Sequence, residues 1–296
     1  MPPAKRPFYK YMSPETAMIV AESKTVRYSS PNTFNDPFEF HSGLHFDFNL
    51  DSIPSKFLQR LEELASSSTP PPVDPTDPWG KLVLLVRNNY ATHGIPKPLR
   101  TERGIDAFQF FLDTLRDTQL RYQEHWWTTL RPGVRVFCVS EVANNPLMWA
   151  HYASDHTGAV YEFWSLPEED NALSVARPVE YLDAPPPFFS EAEFIDDLLS
   201  IKRIDFNSFY RRYAYCKSAH WRYEQEWRVW HPLSQTQDHD YIQVRQSEFK
   251  AAYFGCRMTA PTREKLKRTL RQNFPAVQLF QAHRQPSSYE LSFTAV

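Results

Sequence analysis

A chain of 296 residues that is 42% hydrophobic and 15% aromatic can bury a sizeable core, and its net charge of −2 gives no overall bias toward nucleic acid or a membrane surface. Only 7 glycines stand against 25 prolines, and neither a G-x-G-x-x-G nor a G-x-x-x-x-G-K-[ST] pattern occurs, which excludes a Gly-rich phosphate loop of the doubly wound type. Cys138, Cys216 and Cys256 are scattered without metal-ligand or redox spacing; they read as reduced thiols and favour a cytoplasmic location.

Met1 to Arg6 carries basic residues with no apolar stretch behind them, so no secretory leader is expected there. Apolar runs such as Leu82 to Val86 are far too short to span a bilayer. Phe8–Met12 reads as a strand. Ser13 before Pro14 is an N-cap signal and predicts a helix to about Ser23, followed by a strand over Thr25–Ser29. Ser30-Pro31-Asn32 and Asn35-Asp36-Pro37 are turn signals. Pro54–Ala65 reads as a helix with Phe57, Leu58, Leu61 and Leu64 on one side. The Pro/Ser-rich stretch from 66 to 78 reads as a flexible surface insertion within a single domain spanning 1–296, because the polar motifs flank it on both sides.

Helices are expected over Trp79–Tyr90 and Gly104–Trp127, the second with Phe108, Phe111, Leu112 and Leu115 at helical spacing as core residues. Val134–Ser140 predicts a strand, and Asn144-Asn145-Pro146 opens a short helix carrying Trp149 and Tyr152. Strands follow over Thr157–Trp164 and Pro178–Leu182, helices over Glu191–Ser200 and Phe206–Ser218, then strands over Glu226–Trp230, Tyr241–Val244 and Ala251–Phe254. Thr259–Asn273 reads as a helix whose basic residues form a solvated face, before closing strands at Val277–Phe280 and Tyr289–Phe293. Strands and helices intersperse without regular βαβ alternation, which predicts an α+β class with mixed or antiparallel central sheets surrounded by helices.

Three segments concentrate chemistry. In Phe34-Asn35-Asp36-Pro37-Phe38-Glu39, Asn35 and Asp36 either build a tight turn or present polar groups to a ligand. Phe137 to Glu141 and then Leu147 to Tyr152 set Ser140, Trp149, His151 and Tyr152 near one strand end, with flat rings suited to a base or nicotinamide. His151 and His156 lie five apart, which is not the metal-ligand spacing of a helix, so no metal site is expected. In Trp221 to Arg228, the period of two puts Glu224, Glu226 and Arg228 on one strand face, either as an ion-pair ladder or as a catalytic carboxylate with its neighbours.

Together with Phe8-Tyr9-Lys10-Tyr11-Met12-Ser13, Arg27-Tyr28-Ser29, Asp155-His156-Thr157-Gly158 and Phe254-Gly255, these segments resemble the bacterial family named domain of unknown function 2971. Their order is similar to the layout of ADP-ribosyltransferases, a split β-sandwich. That likeness implies NAD as substrate, Glu226 (with Glu224) as the catalytic carboxylate, and Lys10, Tyr11, Ser13, Ser29, Asn35, Asp36, Ser140, Trp149, His151, Tyr152 and Arg228 as cofactor-binding residues. Ser140, or Tyr28-Ser29, would hold the place of the family's serine. Lys10 departs from the expected Arg or His, and no Ser-Thr-Ser triplet is present. The implied acceptor of ADP-ribose is a protein or nucleic acid, in a toxin or phage-defence role. The residues leave two other readings open: a Mg²⁺-dependent nuclease using Asp36, Glu39, Glu224 and Glu226, and a binding module without catalysis.

Overall fold

The computed structural model describes residues 5–40, 45–96, 112–113, 116–117, 120–121, 123–205, 211–231 and 238–296. Two compact units emerge, one from Met1–His41, Thr129–Ala184 and Tyr215–Val296, the other from Ser42–Thr128 and Pro185–Ala214. The Pro/Ser-rich stretch therefore lies inside the second unit rather than at a division.

The first unit is built on a mixed sheet. Strand β1 (Arg6–Met12) leads into α1 (Pro14–Ser23), where the Ser13 hydroxyl accepts the Thr16 N–H and caps the helix; Lys24 ends it in the left-handed region. Then come β2 (Thr25–Ser29), β3 (Arg135–Ser140) and β4 (Ala159–Ser165), with a short helix at Pro146–Tyr152 between the last two. β5 (Arg177–Pro178) and β6 (Glu180–Leu182) precede β7 (Cys216–Ser218), β8 (Glu226–His231), β9 (His239–Gln243) and β10 (Phe249–Phe254). A basic helix (Ala260–Asn273) and strands β11 (Gln278–Arg284) and β12 (Leu291–Ala295) complete it.

Along the sheet the order is β12-β11-β10-β4-β1-β3-β2-β9, with β8 on β3 and β5 on β8. Among the described residues only β10–β11 runs parallel within it; β6 and β7 form a separate parallel pair. The α+β class expected from the sequence is what the chain adopts. Phe8, Tyr161, Phe163, Ala252, Phe254 and Leu279 bury one sheet face against Ala17 and Val20 of α1 and Leu266 and Leu270 of the basic helix. Burial of that apolar area is the main stabilising term.

Gly158 and Gly255 sit where backbones pass too closely for a side chain. A Cβ at Gly158 would collide with the Met12 carbonyl oxygen, and one at Gly255 with that of His156. Gly158→Ala is expected to cost about 1–3 kcal/mol, because β1 and β4 must part to admit the methyl group. A urea midpoint unchanged from the parent protein would contradict that close approach.

In the second unit α2 (Ile53–Ser66) packs on α3 (Pro78–His93) and on the helix Glu191–Leu198, whose Phe194 joins Phe46, Phe48, Phe188 and Phe189 in an aromatic cluster. Residues 67–77 carry no helix or strand, and Asp77 at their end caps α3 by accepting the Trp79 and Gly80 N–H groups.

Two expectations shift, and a third falls mostly outside the described residues. Pro178–Leu182 is not one strand: Val179 donates to the Glu226 carbonyl, so Arg177–Pro178 pairs with β8 while Glu180–Leu182 pairs with β7. The helix expected over Phe206–Ser218 survives only at residues 211–214 among those described; 206–210 lie outside the described residues, and Cys216–Ser218 is strand β7. Pairing with β6 overrode local propensity there. Most of Gly104–Trp127, including Phe108, Phe111 and Leu115, also lies outside the described residues; those described between 112 and 125 are helical.

Candidate functional site

The sheet forks at β3. β8 pairs along one whole edge of β3, from Arg135 to Ser140. On the other edge β1 pairs at Ser140 and β2 at Val136, so these two strands diverge between those points. The carbonyl of Cys138 falls in the gap and accepts from Lys10 Nζ at 2.7 Å. A lysine thus satisfies a backbone acceptor that no strand reaches. The ammonium also lies 5.3 Å from the Phe137 ring centroid. Burial lowers its pKa from the ordinary lysine value, more than the nearby Glu226 and Glu224 raise it.

Beneath the fork lies a buried cluster of five charges: Glu39, Lys217, Glu224, Glu226 and Arg228. Lys217 Nζ lies 2.6 Å from Glu224, 3.1 Å from Glu226 and 3.3 Å from Glu39. Arg228 Nε donates to Glu226 at 2.8 Å, and its Nη2 donates to Glu39. The rings of Phe34 and Phe40 lie 5.8 and 5.4 Å from the guanidinium carbon. The Phe34–Glu39 segment therefore supplies both a counter-charge and an aromatic wall for Arg228.

Three carboxylates against two cations leave one negative charge in excess, and the five groups share it unequally. Burial pushes Glu226 up, but Arg228 and Lys217 outweigh it and hold this carboxyl well below the usual range. Burial raises Glu39 despite Arg228. Glu224, with Lys217 as its cation and Glu226 nearby, is raised by burial to about 7. Lys217 is held charged: burial lowers its pKa, but Glu226, Glu39 and Glu224 together raise it above the ordinary value.

Glu224 is anchored from several directions. Tyr152 donates its hydroxyl to Glu224 Oε1 at 2.6 Å, and Ser140 Oγ donates to the Glu224 carbonyl at 2.7 Å. Asn145 caps the Pro146–Tyr152 helix and donates to the Tyr223 carbonyl at 2.6 Å. His151 Nδ1 is 2.9 Å from the Tyr223 hydroxyl. Glu224 ends a 3₁₀ turn (Ala219–Glu224), and Gln225 takes a left-handed conformation before β8 begins at Glu226. The expectation that Glu224 and Glu226 share one strand face is corrected accordingly: they converge through a turn and a common lysine.

A cleft of about 580 Å³ opens at the fork. Lys10, Tyr11, Ser13, Ser29, Asn35, Ser140, His151, Tyr152, Glu224 and Glu226 line it, with Arg27, Lys217, Cys138, Ile19 and Tyr241. Three residues expected there, Asp36, Trp149 and Arg228, stand elsewhere. Asp36 is buried in its own turn, accepting the Phe38 N–H through its carboxylate. Trp149 is fully buried, donates to the Ala143 carbonyl and stacks on His156. Both hold the backbone that carries the site. Arg228 lies behind the lining, Ser13 caps α1, and the buried Tyr11 donates its hydroxyl to the Val142 carbonyl. Tyr28 is buried against Phe137. Asn35 reaches the Tyr152 hydroxyl at 3.5 Å. Asp36 does not join Glu39, Glu224 and Glu226, and among the described residues no group of three or more His, Cys, Asp or Glu is placed to hold a metal ion.

Lys217 is the residue that sequence reasoning missed, since the pattern put it inside a helix. Charge balance held the signal: burying Glu39, Glu224 and Glu226 with Arg228 alone leaves two carboxylates without a cation.

Residues 148–229 match a family model described as Protein of unknown function (DUF2971). Over this stretch, somewhat more than a quarter of the chain, the sequence is similar to that family. The DUF2971 match takes in the Met148–Tyr152 and Trp221–Arg228 segments, and so the helix carrying Tyr152 together with Lys217, Glu224, Glu226 and Arg228. No curated protein and no solved structure matches the chain. Among the described residues no helix is long and apolar enough to cross a membrane.

Proposed function

We propose that the cleft binds NAD and that the protein transfers ADP-ribose to a macromolecular acceptor. The observation that carries this reading is the cleft's charge layout: Lys10 and Arg27 on its walls, and the carboxylates of Glu224 and Glu226 among its lining. A dinucleotide needs both. Its pyrophosphate is anionic, and its ribosyl carbon becomes cationic as the bond to nicotinamide breaks.

In this mechanism the C1′–N bond breaks with its electron pair going to nicotinamide. Glu226, kept ionised by Arg228 and Lys217, supplies fixed negative charge beside the developing oxocarbenium. An acceptor hydroxyl or amine attacks C1′, and its proton passes to the Glu224 carboxylate. A carboxyl titrating near 7 is suited to that exchange. Transfer should therefore rise with pH through about 7, as Glu224 loses its proton. Tyr152 and His151 face the same space and offer rings to nicotinamide. Among the described residues the three cysteines are free, which fits a reducing cytoplasm where NAD is available.

The test is incubation of the purified protein with adenylate-labelled NAD and a cell lysate, followed by protease or nuclease digestion of the labelled product. Release of nicotinamide with label on protein or nucleic acid is the expected result. Absence of both, with no thermal stabilisation by NAD, would reject the reading and favour a binding module.

A further inference from the structure

We propose that Lys217 is the positioning residue of this site, fixing where the Glu224 carboxylate points and when it gives up its proton. The inference rests on the NAD reading for its chemistry, but its geometry stands apart from it. Lys217 comes from β7, which is outside the main sheet, and its ammonium meets carboxylates from three segments. Glu226 and Glu39 each have Arg228 as a second cation, whereas the ion pair of Glu224 is with Lys217. Its other oxygen takes the Tyr152 hydroxyl. β6 braces the same point, since Glu226 N–H donates to the Tyr181 hydroxyl at 2.8 Å. The indole of Trp221 lies 5.0 Å from the Lys217 ammonium and closes another side.

The groups that face Glu224 come from every neighbouring element. They are Lys217 from β7, Glu226 from β8 and Tyr152 from its helix, with Glu39 (from the turn after β2) and Arg228 (from β8) joined to them through Lys217 and Glu226. Tyr181 of β6, Tyr223 of the 3₁₀ turn and Lys10 of β1 complete the set. Lys217 carries the cation in contact with Glu224, so its loss leaves the carboxylate facing like charge without compensation.

The readout is the titration of the Glu224 carboxyl, followed by carbon NMR of protein labelled at glutamate and assigned by Glu224→Gln. In Lys217→Met that titration should move upward by about one to three pH units, and Lys217→Arg should bring it back toward the parent value. If NAD turnover is present, the rising limb of its pH profile should move in parallel. An unchanged titration in folded Lys217→Met would overturn the proposal whatever the enzyme does. A shifted titration in a protein that never turns over NAD would uphold Lys217 and sink the transferase. Should Lys217→Met not fold, Lys217→Met/Glu224→Gln, which removes one charge of each sign, is expected to recover the fold. Failure of that double variant to fold would show that Lys217 serves packing rather than Glu224.

Discussion

Glu226→Gln is expected to lower nicotinamide release by about 10²–10³-fold, the magnitude typical of removing one preorganised electrostatic contact to a charged transition state. The amide keeps the size of the carboxylate but has one acceptor oxygen, which can keep either the Oε2 contacts with Lys217 and Arg228 Nη2 or the Oε1 contact with Arg228 Nε. What it removes is the negative charge that the mechanism places beside the oxocarbenium. Because that cation exists only as the glycosidic bond breaks, kcat should fall while KM stays nearly constant. Both kinetic constants should be read on protein whose circular dichroism matches the parent, since the substitution also leaves two buried cations with one carboxylate fewer. Turnover that survives intact would remove Glu226 from the chemistry and leave the cluster a role in stability alone.

Arg228→Met should be the most damaging single change to stability, at about 3–5 kcal/mol, the range for stranding the partner of a buried ion pair. That would be a large share of a total of roughly 5–15 kcal/mol for a natural domain. The guanidinium donates to both Glu226 and Glu39 and lies against Phe34 and Phe40, so its removal strands two buried carboxylates with Lys217. Arg228→Lys should recover little of this, because a single ammonium cannot reproduce the fork that reaches two carboxylates. The loss should also be smaller at pH 5 than at pH 8. Without Arg228 the folded-state pKa values of Glu39 and Glu226 rise, so stability is regained as they take up protons and lost as pH climbs through those values. Urea midpoints of parent and variant at both pH values decide it; equal midpoints would show that the cluster contributes nothing to the fold.

Much of this site was legible in the sequence because local chemistry encodes it. Ser13-Pro14 and Asn145-Pro146 mark helix starts through capping, and both helices begin there. Alternating β-rich runs located β1, β2, β3 and β8, and the polar segments beside them brought Tyr152, His151, Ser140, Glu224 and Glu226 to one cleft. Those signals depend on a residue and its near neighbours, so no tertiary information is needed to read them.

The rest depended on partners distant in the chain. Asp36 and Trp149 have the residue types of a ligand site, yet a turn amide and a buried core claim them. Lys10 is expected from the sequence to contact a cofactor, yet its nearest task is the Cys138 carbonyl exposed by the forked sheet, 128 positions away. Lys217 carries no local signal, because its three carboxylates come from a turn near residue 39 and from two positions either side of Gln225. Sequence alone determined most of the helices and strands around the site and which segments carry charge, although β6 and β7 took shape only through their mutual pairing. Only the tertiary structure decided which charges meet, because burial makes an unpaired ion so costly that packing, not local propensity, selects its partner.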